Sequence, residues 1–309
     1  MSVVNEEPSC YNRSMEKSAS LFDLKKFLTL NQKRVDQGLE LYLPPAEGVF
    51  KTIHEAMRYS IFAGGKRVRP ILCLASYAIF KDLDAHEKMI LPTACALEMI
   101  HTYSLIHDDL PCMDNDDFRR GKPTNHKVFG EAIAVLAGDA LLTLAFEVAA
   151  KKEHVVSELA RASGTFGLIG GQVEDLQAEG KNLSGPQLES IHRHKTAALI
   201  QTSIRLGGIL GECGQEELQR LTTFGEKVGL AFQIVDDILD EESDTVSLGK
   251  TAGKDKHQKK STYPSVYGLP QSKKMAQQLK NDALEALALF GPKAEALKSL
   301  ALYIIERKN

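Results

Sequence analysis

Apolar residues recur at helical spacing along almost the whole chain, whereas the alternating patterns typical of strands are scarce. The clearest runs are Leu21, Leu24, Leu28 and Val35, and then Ala96, Met99, Ile100, Tyr103 and Ile106. The periodicity predicts helices over residues 21–42, 49–63, 69–80, 86–107, 132–151, 155–177, 185–210, 215–240, 272–289 and 293–307. These long segments favour an all-α bundle of about ten helices around a central cavity, with functional side chains projecting inward from facing helices.

The length of 309 residues allows one or two domains. Because no Pro-, Gly- or Ser-rich linker divides the chain, we predict a single domain over residues 21–309. Residues 1–20 are polar and contain Glu6, Glu7 and Glu16, unlike a signal peptide or an organelle presequence, and we interpret them as a mobile tail. No run of about 18 uncharged apolar residues occurs, so we expect no membrane span.

Charge and cysteine content narrow the possible functions. The net charge of -3 does not favour a nucleic-acid partner, since neutralising a phosphate backbone needs a basic excess. The five cysteines are odd in number and form no C-x-x-C pair, which argues against a disulfide framework or a zinc site. We therefore expect a reducing, cytoplasmic location.

Two acidic clusters lie far apart in the chain, over residues 108–114 and 236–240, and each follows an apolar run with a helical pattern. Charge at the end of a buried segment is costly unless it is paired or bound to a cation. Carboxylate oxygens suit Mg²⁺, which usually completes its coordination with waters and substrate phosphates. The two clusters thus indicate a diphosphate site, although a charged helix end is the alternative for each cluster alone.

Helix geometry gives an expected arrangement for both clusters. Gln233, Asp236 and Asp240 fall along one stripe of a helix, and Asp237 lies about 100° to the side. Pro111 is expected to disturb the preceding helix and to bring Asp114 back from a loop or a distorted turn.

Three basic clusters could hold the remaining negative charge of a substrate. They cover residues 64–70, residues 119–124, and residues 249–255 followed by Lys259 and Lys260. Glycines and fixed cations before a helix form good anion sites. The alternatives are a structural loop for the first cluster, ion pairs with the neighbouring acids for the second, and a flexible lysine run for the third. His101 precedes Asp108 by seven residues on the same face and is either a phosphate ligand or a core histidine.

Together these motifs, with Lys195-Thr196 and Phe232-Gln233, resemble those of the trans-type isoprenyl diphosphate synthases in order and spacing from about residue 21 to the carboxyl terminus. The resemblance implies the isoprenoid synthase fold, a homodimer, and three Mg²⁺ ions that bind an allylic diphosphate. It implies that the metal ligands are Asp108, Asp109, Asp114, Asp236, Asp237 and Asp240. It also implies that Arg119, Lys195, Lys250 and Lys260 bind the allylic diphosphate, and that Gly65, Lys66, Arg69, His101 and Arg120 bind isopentenyl diphosphate.

The chemistry of such a reaction accounts for these residue types. Departure of diphosphate concentrates negative charge on the leaving oxygen, where metals and fixed cations stabilise the transition state. The isopentenyl double bond then attacks the allylic cation, and the resemblance implies that Lys195, Thr196 and Gln233 face that cation. We assign catalytic roles to these three residues and to Arg119 and Arg120. The resemblance also implies that the departed diphosphate removes the final proton.

Product length is predicted from the residues one turn before Asp108, because one helical turn rises about 5.4 Å, close to one isoprene unit. Tyr103 and Ser104 occupy those positions, and the Tyr103 ring would block a long tail. The two-residue insertion of Pro111 and Cys112 in the acidic motif resembles the bacterial and plastid type, and together with Tyr103 it resembles bacterial farnesyl diphosphate synthases. Residues 110–117 and 123–130 are instead similar to plastid-type geranylgeranyl diphosphate synthases. We favour a fifteen-carbon product, with the twenty-carbon product open, and an ordinary core role for Tyr103 is the alternative.

Three other functions compete with this interpretation. A terpene cyclase needs only one anion site and usually pairs its Asp motif with an Asn/Ser/Glu triad, which differs from the second cluster here. A non-catalytic subunit of a heteromeric prenyltransferase often lacks one acidic motif, whereas both acidic clusters are present here. A phosphohydrolase built on His107 and Asp108 would need further histidine ligands, and the other histidines show no metal-binding pattern.

Overall fold

The computed structural model describes residues 22–150, 152–242 and 261–307. Its helices are α1 Leu24–Tyr42, α2 Lys51–Ile61, α3 Val68–Tyr77, α4 Glu87–Asp108, α5 Asn125–Phe129, α6 Glu131–Ala149, α7 Glu153–Ser163, α8 Leu168–Ala178, α9 Gly185–His192, α10 Ala198–Leu210, α11 Gln215–Glu242, α12 Tyr263–Tyr267, α13 Leu269–Ala286 and α14 Glu295–Ile305. A π-helical turn, Arg193–Ala197, joins α9 to α10, and 3-10 turns cover Gly48–Phe50 and Ala288–Ala294. The predicted all-α bundle is confirmed.

A two-stranded antiparallel hairpin is the only sheet in the described part of the chain. It pairs β1, Phe118–Arg119, with β2, Lys122–Pro123, so that Arg119 lies opposite Lys122. Arg120 and Gly121 form its turn and both have positive φ angles, 53° and 75°. This turn places Arg119 and Arg120 side by side just after the first acidic cluster.

The helices enclose two hydrophobic clusters. The first joins α1, α2, α4, α6 and α7, and α4 contributes buried residues all around its circumference from Ile90 to Ile106. The second joins α3, α10, α11, α13 and α14. Contacts between α3 and α10 connect the two clusters. A helix buried on all sides marks the centre of a bundle, so the first acidic cluster begins where the central helix ends.

Two predicted helices are interrupted. The segment predicted over 155–177 is two helices, α7 and α8, separated at Gly164 and Gly167. Gly167 has φ −146° and ψ −125°, and a Cβ atom there would lie 2.1 Å from the carbonyl oxygen of Ala162, so the break needs glycine. The segment predicted over 185–210 contains the π-helical turn.

Two helices, α4 and α6, are long and apolar enough to cross a membrane by length and composition. The apolar stretch of α4 is 78% buried inside the bundle, as the core helix of a globular protein would be. That of α6 is only 33% buried, so an apolar face of α6 is exposed. The described cysteines, Cys73, Cys95, Cys112 and Cys213, are free thiols. The cytoplasmic location and the absence of a membrane span stay predictions.

Candidate active site

The first acidic cluster folds back on the end of α4. Helix α4 ends at Asp108, three residues before Pro111, and the backbone N–H of Asp114 donates to the carbonyl oxygen of Asp108 over 2.8 Å. Asn115 adopts a left-handed φ of 50°, which turns the chain toward the hairpin. Asp114 therefore returns beside Asp108, as the sequence predicted.

Asp109 is turned toward the hairpin and is 3% exposed. Its carboxylate accepts from Nε of Arg119 over 2.7 Å and pairs with Nη2 of the same guanidinium over 2.5 Å. Arg119 lies 3.6 Å from Asp116 as well. The alternative of local ion pairs in the second basic cluster is thus what the structure shows for Arg119. The metal role of Asp109 and the diphosphate role of Arg119 stay predictions.

Asp108 is the most strongly perturbed carboxylate of the first cluster. Its pKa is raised to about 6, mainly by burial; the carboxylates of Asp114 and Asp109 contribute to the rise, and the charges of Lys195 and Arg119 oppose it. Such a cluster favours either a proton or a cation. The influence of Lys195 also shows that α4 ends close to the π-helical turn.

The second acidic cluster centres on Asp237, which is 5% exposed. Asp237 accepts from Nε2 of Gln233 over 3.2 Å and from the backbone N–H of Tyr263 over 2.9 Å. The amide oxygen of Gln233 accepts in turn from the hydroxyl of Thr196 over 3.0 Å. These bonds fix the orientation of Thr196, Gln233 and Asp237 toward one another.

Gln233, Asp236 and Asp240 lie on the regular helix α11, as predicted, and Gln233 and Asp237 are the α11 residues that line the described cavity. Asp236 instead pairs with Arg307, whose guanidinium lies 4.2 Å from the ring centroid of Phe232. Asp240 is half-buried one turn further along α11. An opposing cation from the end of α14 could not be foreseen from helical spacing.

The π-helical turn presents Lys195 and Thr196. Two glycines allow neighbouring helices to approach its backbone: a Cβ on Gly171 of α8 would lie 2.2 Å from the Lys195 backbone nitrogen, and one on Gly229 of α11 would lie 2.6 Å from the Ala197 Cβ. Lys195 then reaches Asp175 of α8, with Nζ 2.7 Å from the carboxylate. Asp175 was not among the predicted site residues, although the Gly170-Gly171 pair before it indicates close helix packing.

These side chains line a cavity of about 220 Å³ between α8, α9, α11 and the start of α12. Its charged and polar walls are Asp114, Asp175, Glu179, His192, Lys195, Thr196, Gln233, Asp237, Ser261 and Thr262, and its apolar walls are Ala178, Leu183, Leu188 and Ile191. The cavity therefore joins one residue of the first acidic cluster, one of the second, and the predicted Lys195 and Thr196. Lys250 and Lys260 lie outside the described residues.

The first basic cluster and the hairpin form a second group of cations. Arg120 donates to the carbonyl oxygen of Gly64, and a Cβ on Gly65 would lie 2.7 Å from the Arg120 guanidinium. Lys66 is exposed, with Nζ 5.6 Å from the ring centroid of Tyr303. Burial lowers the pKa of Arg69 to about 10, and its Nε has no hydrogen-bond partner among the described residues.

His101 lies beside these cations. Burial lowers the pKa of His101 well below its usual range, and the positive charges of Arg69, Arg120, Arg119 and Arg67 lower it further. The imidazole is therefore neutral at pH 7 and has one N–H to donate.

Tyr103 and Ser104 lie within α4 and are buried. The ring of Tyr103 makes an edge contact with His107, with centroids 5.8 Å apart. Its hydroxyl has no hydrogen-bond partner within the described part of the chain, and burial, together with the charge of Asp108, raises its pKa to about 12. Ser104 donates to the carbonyl oxygen of His101 over 2.9 Å. Among the described residues, the Tyr103 side chain is thus held by packing.

The donor set fits Mg²⁺. Among residues 22–150, 152–242 and 261–307, no group of three or more His, Cys, Asp or Glu side chains could hold a metal by itself. Mg²⁺ is usually bound through one or two carboxylates and substrate phosphates rather than by an all-protein cage. Asp114 and Asp237 offer carboxylate oxygens to the same cavity, and a cation would relieve the charge cost that raises the pKa of Asp108.

Comparison with known proteins agrees with this geometry. Residues 50–289 match the sequence pattern of the polyprenyl synthetase family. The chain is 49% identical to a heterodimeric geranylgeranyl pyrophosphate synthase large subunit 1, chloroplastic, of Arabidopsis thaliana, over 100% of this chain and 85% of that protein.

Two solved structures share the fold. An FPP/GFPP synthase from Zymomonas mobilis, in its apo form, is 39% identical with a TM-score of 0.82, covering 91% of this chain and 98% of its own. A geranyltransferase from Helicobacter pylori, complexed with magnesium and isoprenyl diphosphate, is 33% identical with a TM-score of 0.80, covering 91% of this chain and 98% of its own.

Proposed function

The chain belongs to the polyprenyl synthetase family, and on that premise we propose that it condenses isopentenyl diphosphate with dimethylallyl or geranyl diphosphate to give farnesyl diphosphate. It is an isoprenyl diphosphate synthase, a prenyltransferase. One observation carries the proposal of two diphosphate substrates: the predicted cations lie at two places. Lys195 lies in the acidic cavity, whereas Lys66, Arg69 and Arg120 lie around the first basic cluster.

The residues divide into two binding groups. We assign the allylic diphosphate to the acidic cavity, where Lys195 and Arg119 are the nearby cations. We assign isopentenyl diphosphate to Lys66, Arg69, His101 and Arg120, beside Gly65. Buried cations with unsatisfied N–H groups bind a diphosphate strongly because the anion restores their hydrogen bonds.

Ionisation of the allylic substrate is the demanding step. Bound Mg²⁺ would neutralise charge that develops on the departing diphosphate. Lys195 adds a fixed positive charge on the same side. The Thr196 hydroxyl donates to Gln233, so its lone pairs remain available to stabilise a nearby carbocation without a covalent bond. Holding two anionic substrates in register supplies a further large part of the rate.

We propose that three Mg²⁺ ions bind together with the allylic diphosphate, between Asp108, Asp109 and Asp114 on one side and Asp236, Asp237 and Asp240 on the other. The magnesium in the Helicobacter pylori geranyltransferase complex supports magnesium dependence. Replacing Asp108 or Asp236 with alanine is expected to lower turnover by orders of magnitude with the fold retained, because each removes a ligand and also relieves carboxylate repulsion. Asp282→Ala, which alters an aspartate on α13, is the control, and near wild-type turnover in either site variant would exclude that metal role.

Buried Tyr103, one turn before Asp108, supports the fifteen-carbon product. Geranylgeranyl diphosphate is the second candidate, favoured by the name of the Arabidopsis thaliana relative. That relative's name also describes a subunit of a heterodimer. We propose that this chain is instead a homodimer, since it retains both acidic clusters.

The test is incubation of purified protein with Mg²⁺, isopentenyl diphosphate and dimethylallyl or geranyl diphosphate, followed by chromatography of the dephosphorylated products. Farnesol is the expected alcohol. Geranylgeraniol would replace the farnesyl proposal with the second candidate. A hydrocarbon would indicate a terpene cyclase, and activity that appears only after adding another chain would indicate a heteromeric enzyme.

A further inference from the structure

Arg67 has an unusual conformation for its residue type. It lies inside the first basic cluster, immediately before α3, with φ 50° and ψ 37° in the left-handed region. It is also only 4% exposed. A non-glycine residue persists in such a conformation only where its surroundings hold it there.

Three hydrogen bonds hold the guanidinium of Arg67. Its Nε donates to Asp36 of α1 over 2.8 Å, its Nη1 donates to Glu98 of α4 over 2.7 Å, and its Nη2 donates to the carbonyl oxygen of Ile61 over 2.7 Å. Ile61 is the last residue of α2. One side chain therefore joins α1, α2 and α4 at the start of α3, and its buried position keeps it from a substrate.

The neighbouring loop is fixed at two further points. Nε2 of Gln32 donates to the carbonyl oxygen of Gly65 over 2.9 Å, and Arg120 donates to the carbonyl oxygen of Gly64. The backbone of Gly64 and Gly65 therefore holds the Arg120 side chain through a hydrogen bond and continues directly into Lys66. Any shift of this loop moves both cations.

Glu98, which accepts from Arg67, is buried against the first basic cluster and is 1% exposed. Its charge opposes the effect of burial on two arginines: burial lowers the pKa of Arg69 and of Arg120, and Glu98 raises both. The buried Glu98 carboxylate thus interacts with the guanidinium groups of Arg67, Arg69 and Arg120, and its negative charge offsets the repulsion among them.

We propose that Arg67, held by Glu98 and Asp36, is a positioning residue for the isopentenyl diphosphate site: it fixes the backbone from which Lys66, Arg69 and Arg120 bind the diphosphate. This inference rests on the proposed function. The inference predicts an effect on isopentenyl diphosphate and not on the allylic substrate, because the contacts of Arg67 lie in α1, α2 and α4 around the first basic cluster. Lys195, Thr196 and Gln233 belong to other elements.

The test replaces the buried pair as a unit, since removing only one partner would leave an unpaired buried charge. Arg67→Met/Glu98→Leu is compared with the wild type by calorimetry. Geranyl thiolodiphosphate, which does not ionise readily, is titrated first with Mg²⁺, and isopentenyl diphosphate is then titrated into that complex. Misplaced cations are expected to raise the Kd of isopentenyl diphosphate by about tenfold or more, because small displacements of binding groups are costly at such sites. The Kd of geranyl thiolodiphosphate stays within about twofold of the wild-type value, as unaltered contacts require.

Two further variants complete the design. Arg67→Lys keeps the charge but not the planar fork, so its Kd for isopentenyl diphosphate is expected between those of the wild type and the double variant. It decides the question alone if the double variant does not fold. Arg205→Met/Glu158→Leu removes another arginine–carboxylate pair, a less buried one between α7 and α10, and is expected to leave both Kd values unchanged.

Steady-state kinetics give a second readout. The KM for isopentenyl diphosphate is expected to rise while kcat at saturation stays close to wild type. Unchanged binding of isopentenyl diphosphate in the folded variants, or an equal loss for both substrates, overturns the inference. If the wild type itself binds no isopentenyl diphosphate, the proposed function fails instead.

Discussion

Tyr103 is a large buried side chain at a position where an isoprenoid tail would end. Its ring packs edge-on against His107, and its hydroxyl is unpartnered among the described residues. Tyr103→Ala is expected to open room for about one more isoprene unit, since one helical turn rises about 5.4 Å. Chromatography of the dephosphorylated products should then show a shift toward twenty carbons or more.

Tyr103→Phe is the matched control. It keeps the ring and removes only a hydroxyl without a partner in the described structure, so products should stay as in the wild type. An unchanged product spectrum in Tyr103→Ala would remove Tyr103 from the chain-length role.

His192 makes stability depend on pH. Burial lowers its pKa to about 4 from 6.5, with the charge of Lys195 lowering it and that of Asp175 raising it. Between these values the unfolded chain binds a proton that the folded chain does not, so the free energy of unfolding rises with pH through this window and reaches its full value above pH 6.5. The part lost as pH falls to about 4 is about 3 kcal/mol.

His192→Phe should flatten this dependence while keeping the ring contact with Tyr263, which lies 5.4 Å away between centroids. Denaturant unfolding of metal-free protein at several values between pH 4 and pH 6.5 measures the effect. The control is His154→Phe, at an exposed position. A pH slope in His192→Phe equal to that of the wild type would contradict the prediction.

Some contacts of individual site residues could be predicted from the sequence and others could not. The return of Asp114 to Asp108 followed from Pro111, because a proline ends the helix in a defined way. The pairing of Asp236 with Arg307 depends on where the distant α14 ends, and the pairing of Lys195 with Asp175 depends on the crossing of α8. Contacts between elements far apart in sequence leave no periodic signal, so these two pairs were missed.

At the scale of elements, the π-helical turn Arg193–Ala197 packs closely against Gly171 of α8 and Gly229 of α11. Gly171→Ala would place a methyl group against the Lys195 backbone, where the distance to nitrogen would be 2.2 Å. The turn must shift, and Lys195 and Thr196 must shift with it. We expect turnover to fall at least about tenfold, because misplaced catalytic groups are costly, while the helical content remains.

Circular dichroism and turnover are measured together for this variant. Gly214→Ala is the matched control: its Cβ would lie 3.4 Å from Glu217, an ordinary contact, and its φ is not positive. Wild-type turnover in Gly171→Ala would show that the turn does not depend on close packing by α8.

The elements themselves were predictable where they are long. Helices α1, α4 and α11 follow the predicted segments closely, because their apolar faces repeat over many turns. Short elements such as α5 and α12 have too few residues for a period. The π-helical turn could not be predicted, because its residues have an ordinary helical composition. What distinguishes it is close packing against Gly171 and Gly229, which local sequence does not reveal.

At the largest scale, helix α6 exposes apolar side chains to solvent. Val135 and Leu136 are 39% and 54% exposed on a helix that is otherwise rich in apolar residues. We expect a second copy of this chain to cover the face. Leu136→Glu should then lower the mass in solution from twice 34.0 kDa to 34.0 kDa, because a charge buried in such a contact is costly.

Light scattering after size exclusion measures that mass. Leu41→Glu, at a position of α1 that is 76% exposed, is the control and should remain a dimer. A wild-type monomer, or a Leu136→Glu dimer, would refute the assignment of α6.

The all-α architecture was evident from periodicity alone because a bundle needs apolar stripes on every helix. The cavity was predicted only in outline: facing acidic clusters indicated that it exists, but its walls come from α8, α9 and α12 as well. Those walls depend on helix crossings, which periodicity does not encode.

The π-helical turn also constrains the length of the chain. Each residue of a regular helix advances the face by 100°, so deleting one residue between Arg193 and Ala197 would restore ordinary helical spacing and rotate α9 relative to α10. Surface loops tolerate gains and losses of residues, whereas we expect the loss of one residue in this stretch to displace Lys195 and Thr196. The number of residues here is therefore as much a functional property as their identity.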